Sequence, residues 1–418
     1  MLRMKNVALF SEEDRNMTEL VLGSVPRGPD YFGQQQFIES LWQALEKDSV
    51  LLVAPRRFGK TAAMYKLMDA PREGFHPMYV NVEHLSSAAN FMVEILALLL
   101  RDHHLRRVVR RLWEGAIGFG EWIRNLPASV DMGGVKIELR EKTDVRDNWL
   151  SYGERIMELL AQEEPRLLLM IDEFPIMVSG MLQRDRTETE QFLRWFRTVR
   201  TAPNTRTRFI IGGSTNIMYA LENSGLVDTI NDLYPAKLRP FDSETASQYL
   251  QAVFGSRDIS LDDDVQARIL DMVGEPIPYL LALLVQFVLE RSQAEGEAIT
   301  PQLVERAFSE DLLGAGPGVL LHYWSRLREY YPTPEEAAAK AILNILSRTE
   351  ATVMRNTLYH AYLRATGAEP GSDSEESFIR LMWKLDNDFY VVSREDRYAF
   401  FSRVLKLWWI QCYGYQEE

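Results

Sequence analysis

Short uninterrupted apolar runs alternate with stretches of helical spacing from the start of the chain to about Pro240. Val50 to Val53, Met78 to Val82, Leu167 to Ile171 and Phe209 to Ile211 read as strands. The run Leu167 to Ile171 has no polar interruption, which suits a strand covered by helices on both faces of a parallel sheet. Between these runs, Phe37, Ile38, Leu41, Trp42 and Leu45 recur at helical spacing, and Phe91 to Leu100 is apolar on nearly every side. A helix from about Asn148 to Gln162 leads into the third strand. Val135 to Leu139 alternates like a half-buried strand, one arm of a hairpin entered through Gly133 and Gly134. The alternation of strands and helices predicts an α/β domain with right-handed crossovers.

Beyond Pro240 helical patterns dominate, and strands return only near Tyr390. Gly314, Gly316, Pro317 and Gly318 mark a linker. After it come helices near Glu335 to Ser347, Thr352 to Ala365 and Ser374 to Leu385, then an apolar run at Phe389 to Val392. A polar turn at Arg394 to Arg397 and a second run at Tyr398 to Phe401 complete a hairpin. Three short helices followed by a hairpin describe a winged helix. The expected organisation is a leader over 1–30, an α/β domain over 31–239, a helical domain over 240–318 and a winged-helix domain over 319–418.

The first strand runs straight into Ala54-Pro55-Arg56-Arg57-Phe58-Gly59-Lys60-Thr61. Strand, Gly-Lys-Thr and following helix are the parts of a phosphate-binding loop, with Ala54 where such loops usually begin with Gly. The loop from Pro55 through Arg56, Arg57, Phe58, Gly59, Lys60, Thr61 and Ala62 would wrap phosphate, with the backbone NH groups after Pro55 facing it, the Lys60 ammonium reaching the β/γ oxygens and the Thr61 hydroxyl ligating Mg²⁺. Asp172 and Glu173 end the Leu167 to Ile171 run. Asp172 is placed to hold Mg²⁺, and Glu173 to orient or deprotonate the attacking water. Ser214, Thr215 and Asn216 follow the fourth strand and could present a polar side chain to the γ-phosphate. Lys60, Glu173 and Ser214 form the candidate catalytic set.

Charge changes the choice of partner. The 418 residues carry a formal net charge of −13, which repels nucleic acid unless a local patch reverses the field. From Val319 to the end, 12 Lys/Arg stand against 14 Asp/Glu. The helix that would read DNA offers Arg380 and Lys384 beside Glu375 and Glu376, a poor phosphate-contacting face. Phe192, Trp195, Phe196 and Val199 make a core stripe with Arg194, Arg197 and Arg200 off it, and Arg206 and Arg208 precede the fourth strand. These arginines are read as a basic surface face, with no finger assigned. The single cysteine, Cys412, sits among aromatics and is expected to be packed. No signal-like or membrane-spanning run is seen, so the expectation is a soluble cytoplasmic protein.

Together these segments resemble the AAA+-related ATPases of the STAND class, in particular the branch of archaeal-type ATPases. Pro55 to Thr61 matches that family's P-loop, Ile171-Asp172-Glu173-Phe174-Pro175 its Walker B segment, and Phe209 to Ser214 its sensor strand. Tyr31-Phe32-Gly33-Gln34 resembles its leading box, which implies that Phe32 and Gly33 lie against the adenine. Val273-Gly274-Glu275-Pro276-Ile277-Pro278-Tyr279-Leu280 resembles its lid motif, in which a Gly and a Pro begin a helix facing the nucleotide; Pro276 and Pro278 both match, and Pro278 is taken as the contact. The resemblance implies a P-loop NTPase core of AAA+ type, closed by a helical lid and followed by the winged helix. It implies ATP and Mg²⁺ as ligands, and an ATP-driven switch, slow or stimulated by a partner, whose state is passed to a protein partner or to self-assembly. A nucleotide-regulated DNA-binding protein of the initiator or transposon-regulator type is the alternative.

Overall fold

The computed structural model describes residues 19–54, 57–112, 135–136, 139, 144–203, 205–213, 217–222, 224–314 and 317–413. The chain divides into two compact units, one of residues 35–56 and 60–238, the other of residues up to 34, 57–59 and 239 onward.

The first unit is built on a five-stranded sheet in the order β2-β3-β4-β1-β5. Its strands are β1 (Val50–Val53), β2 (Phe75–Asn81), β3 (Arg166–Asp172), β4 (Arg208–Gly213) and β5 (Tyr234–Lys237). Every pairing is parallel. The continuous apolar runs follow from this burial: Leu167, Leu169, Ile171, Phe209 and Ile211 pack into one hydrophobic cluster, while Leu168, Met170 and Ile210 pack into another. Successive side chains of a strand point to opposite faces, so a strand with a core on both sides can spare no polar position. Each fully buried aliphatic side chain contributes about 1.5–3 kcal/mol. The helix Gln35–Leu45 supplies Leu41, Trp42 and Leu45 to the smaller cluster, and the helix Ala88–Arg101 supplies most of its length to the larger. Ser87 caps the latter, its side chain accepting the Asn90 NH at 3.1 Å.

Three elements differ from the sequence reading. β2 begins at Phe75 and includes Pro77, which the edge position permits because only one side of the strand is paired. β5 falls in a segment with no strand signal; it is short, contains Pro235 and exposes three of its four residues. Val135, Lys136 and Leu139 are helical rather than extended, with Val135 and Leu139 buried. Apolar residues at i and i+4 share a helix face, a placement that the strand alternation also satisfied. Gly133 and Gly134 lie outside the described residues.

The second unit is mainly helical: Ser243–Gly255, Asp263–Val273, Pro278–Glu295 and Pro301–Arg306, then Pro317–Tyr330 and Glu335–Arg348. Pro317 therefore opens a helix within the expected linker. The strand β6 (Val353–Met354) precedes the helices Arg355–Thr366 and Ser372–Asn387, and β7 (Val391–Arg394) and β8 (Arg397–Phe400) form an antiparallel hairpin in a sheet of order β6-β8-β7. The helix Arg403–Tyr413 closes the described chain and buries Trp408 and Trp409, while Cys412 is exposed, contrary to the packed thiol expected of it. Buried polar side chains join these pieces. Tyr331 donates to Asp388 Oδ2 at 2.8 Å, Arg326 approaches Asp388 Oδ1 at 3.6 Å, and Tyr390 donates to the Tyr323 carbonyl at 2.6 Å.

Candidate functional site at the carboxyl ends of the strands

In the first unit the chemistry converges on one carboxylate. Asp172, the last residue of β3, is 2% exposed. Thr61, in the first turn of the helix Lys60–Asp69, donates its hydroxyl to Asp172 Oδ2 at 2.7 Å. Tyr79 of β2 donates to the same oxygen at 3.1 Å, and the Glu173 NH donates to Oδ1 at 3.0 Å. Burial, followed by the charge of Asp172, raises the Tyr79 phenol well above its ordinary pKa, so it remains a neutral donor across the working pH range. Lys60 is buried and donates to the Ala54 carbonyl at 2.8 Å, which ties the two ends of the loop together; Ala62 is buried beneath it.

The turn after Asp172 is strained. Glu173 takes the left-handed conformation, φ 57° and ψ 29°, directly before the helix Phe174–Arg184. Two glycines at the end of β4 make room for this corner. A Cβ on Gly213 would stand 2.4 Å from Pro175 Cδ and 3.4 Å from Glu173 Oε2, and one on Gly212 would stand 2.5 Å from Met64 Cε. The pairing of β1 with β4 places Val53 opposite Gly213, so the phosphate-loop strand adjoins this opening. Ligands of open α/β sheets bind outside the carboxyl ends of the strands, where these groups lie.

A hydroxyl and a carboxylate that share a hydrogen bond are hard oxygen donors of the kind Mg²⁺ takes, and two protein oxygens leave most of an octahedron for phosphate and water. Thr61 and Asp172 therefore fit the cation. Glu173, one residue beyond, fits a base directed at a water.

The other expected nucleotide contacts belong to the second unit. Phe32 packs edge-on to Tyr249 with ring centroids 5.5 Å apart. Gly33 has φ +66°, and a Cβ there would fall 2.5 Å from Thr245 Cγ2. Pro278 opens the helix Pro278–Glu295. Arg57–Gly59 cluster with this unit: the Arg57 guanidinium lies 4.3 Å from the Tyr279 ring centroid, and Phe58, 1% exposed, packs against Phe389 and Phe401. The structure thus brings Lys60, Thr61, Ala62, Asp172 and Glu173 together in one unit and assigns Phe32, Gly33, Arg57, Phe58, Gly59 and Pro278 to the other. Pro55, Arg56, Ser214, Thr215 and Asn216 lie outside the described residues.

Tyr79, Gly212 and Gly213 carry roles that the sequence reading did not assign. The glycine pair closing an apolar strand was the available signal; Tyr79 sat in a run already explained by packing.

The basic face resolves into ion pairs. Arg194 and Arg197 share Asp228, and Arg206 meets Glu164 at 2.7 Å. Arg200, expected on the surface, is buried, donating at 2.9 Å to each oxygen of Asp232 and at 2.6 Å to the Thr229 carbonyl. Lys384 is buried too, donating to the Tyr330 carbonyl and to Glu335, each at 3.0 Å, and Arg380 meets Glu376 at 3.1 Å. Among the described residues no helix is long and apolar enough to cross a membrane.

No protein-family model and no curated protein matches the chain. Among solved structures, the Walker-type ATPase of Pyrococcus abyssi aligns over 93% of this chain and 99% of its own, with TM-score 0.60 and 15% identity. The ORC2 protein of Aeropyrum pernix in its ADPNP–ADP complexes covers 91% and 92% at 14% identity and is more distant in shape, with TM-score 0.49. The chain thus has the fold of the Pyrococcus abyssi Walker-type ATPase, a parallel α/β core followed by helices.

Proposed function

We propose that the chain binds ATP and hydrolyses it with Mg²⁺, acting as a molecular switch. The observation that carries this reading is the Thr61–Asp172 hydrogen bond at the end of β3, one residue from the buried Lys60. Lys60 would exchange the Ala54 carbonyl for the β/γ oxygens, and Thr61 and Asp172 would hold the cation. Mg²⁺ held by Thr61 and Asp172 would offset negative charge on the phosphate oxygens. Glu173 would orient the water and take its proton as the new oxygen–phosphorus bond forms and the bond to the leaving ADP breaks. Ser214 is proposed to bond the γ-phosphate. Phe32, Gly33 and Pro278 are proposed to border the base within a lid over 240–318, and the nucleotide state to pass to a winged helix over 319–418. A cytoplasmic, partner-stimulated STAND-type ATPase fits this arrangement.

For the readout, a protein partner or self-assembly is favoured over DNA, because the two cations of the helix Ser372–Asn387 are engaged internally, Lys384 in the core and Arg380 with Glu376. Calorimetry with ATP and Mg²⁺ tests the reading. Lys60→Ala should abolish measurable binding, while Glu173→Gln should bind ATP like the wild type and release phosphate about 10²-fold more slowly. Wild-type turnover in Glu173→Gln would remove the mechanism.

A further inference from the structure

A hydroxyl group has one proton and two lone pairs, so the direction in which Thr61 gives its proton decides where its lone pairs point. Thr61 gives that proton to Asp172 Oδ2. Oδ2 is in turn held by a second hydroxyl, that of Tyr79, at 3.1 Å. The Tyr79 ring is itself pinned, half-buried on β2 and packed at 62° against the Tyr65 ring of the phosphate-loop helix, with centroids 4.9 Å apart. The register of β2 on β3 pairs Tyr79 with Met170 and Asn81 with Asp172, which fixes how far the phenol reaches along the neighbouring strand.

We propose that Tyr79 is a positioning residue for the cation site: by donating to Asp172 it holds the carboxylate in the rotamer that keeps the Thr61 lone pairs turned toward the phosphate loop. The inference rests on the Mg²⁺–nucleotide reading above and adds to it a third residue that touches neither metal nor phosphate. Partners of this kind tune metal affinity by orienting the ligands.

The test is calorimetric titration of ADP in EDTA and in saturating Mg²⁺, with a Mg²⁺ titration at fixed ADP, on wild type and Tyr79→Phe. The substitution removes one oxygen from a half-buried ring and should leave thermal unfolding of the nucleotide-free protein within a few degrees. The Mg²⁺ midpoint is expected to rise about tenfold while ADP affinity in EDTA is unchanged. In an Asp172→Ala background, Tyr79→Phe should add nothing to the Mg²⁺ midpoint. An unchanged midpoint overturns the inference, as does an equal loss of affinity with and without Mg²⁺, or additive losses in the double variant. If the wild type shows no Mg²⁺-dependent nucleotide binding, the functional reading falls and this inference with it; a wild-type response that persists in Tyr79→Phe removes the inference alone.

Discussion

Two aspartates, Asp172 and Asp388, are buried at the ends of secondary-structure elements and accept hydroxyl protons, yet they are balanced differently. Asp388 has Arg326 at 3.6 Å and the Tyr331 hydroxyl at 2.8 Å. Burial works against the Arg326 charge, but Asp388, then Tyr390, Tyr331 and Tyr323, keep its pKa above the ordinary value. The partners of Asp172 are two hydroxyls and an amide. Hydrogen bonds orient a buried carboxylate, and among the described residues no ion pair with Asp172 accompanies them. One aspartate is a closed structural pair. The other, under the function proposed above, would receive a cation from solution.

The largest effect should come from breaking the closed pair. Asp388→Ala leaves the Arg326 guanidinium buried without its carboxylate and should cost about 3–5 kcal/mol in urea unfolding. A cost near zero would show that Arg326 is neutralised by other means and would end the contrast. Asp172→Asn should behave oppositely, unfolding without nucleotide within about 1 kcal/mol of wild type, because the amide oxygen still accepts from the two hydroxyls and the acceptor lost to the Glu173 NH is offset by removal of a buried charge. What it should lose is the Mg²⁺-dependent part of nucleotide stabilisation, out of a total of about 2.7 kcal/mol at a hundredfold excess over Kd.

A third, exposed aspartate sharpens the comparison from below. Asp242 caps the helix Ser243–Gly255, and the Thr245 NH and side chain hold its carboxyl below the usual range. A depressed carboxyl stabilises above its unfolded value, near 3.9, and that share is lost as pH falls through the folded value. Asp242→Ala should therefore cost about 1 kcal/mol near neutrality, with the deficit closing in acid. A deficit that does not vary with pH would assign the cap to something other than the charge.

The parts of the fold visible in the sequence were those in which one residue pattern had one physical solution. Leu167 to Ile171 had to be covered on both faces, and the acidic residue at its end does meet the threonine of Gly-Lys-Thr. Val135 to Leu139 satisfied two periods at once, and the core contacts of Val135 and Leu139 decided for the helix. β5 is recruited by the backbone of β1 and carries almost no side-chain pattern of its own. Arg200 lay off its helix's apolar stripe, and its burial depends on Asp232, thirty-two residues further on, which no local period encodes. Tyr79 was hidden for a related reason, since an aromatic residue in a strand is already explained by packing and only the register beside β3 gives its hydroxyl a target.

The glycines at 212 and 213 set how much the strand ends can be altered. With the Pro175 ring 2.4 Å from where a methyl on Gly213 would sit, enlarging that residue pushes against the corner that carries Glu173. Under the function proposed above, substitution at 213 would therefore displace the Glu173 carboxylate, and the change would be read in phosphate release as well as in the melting temperature.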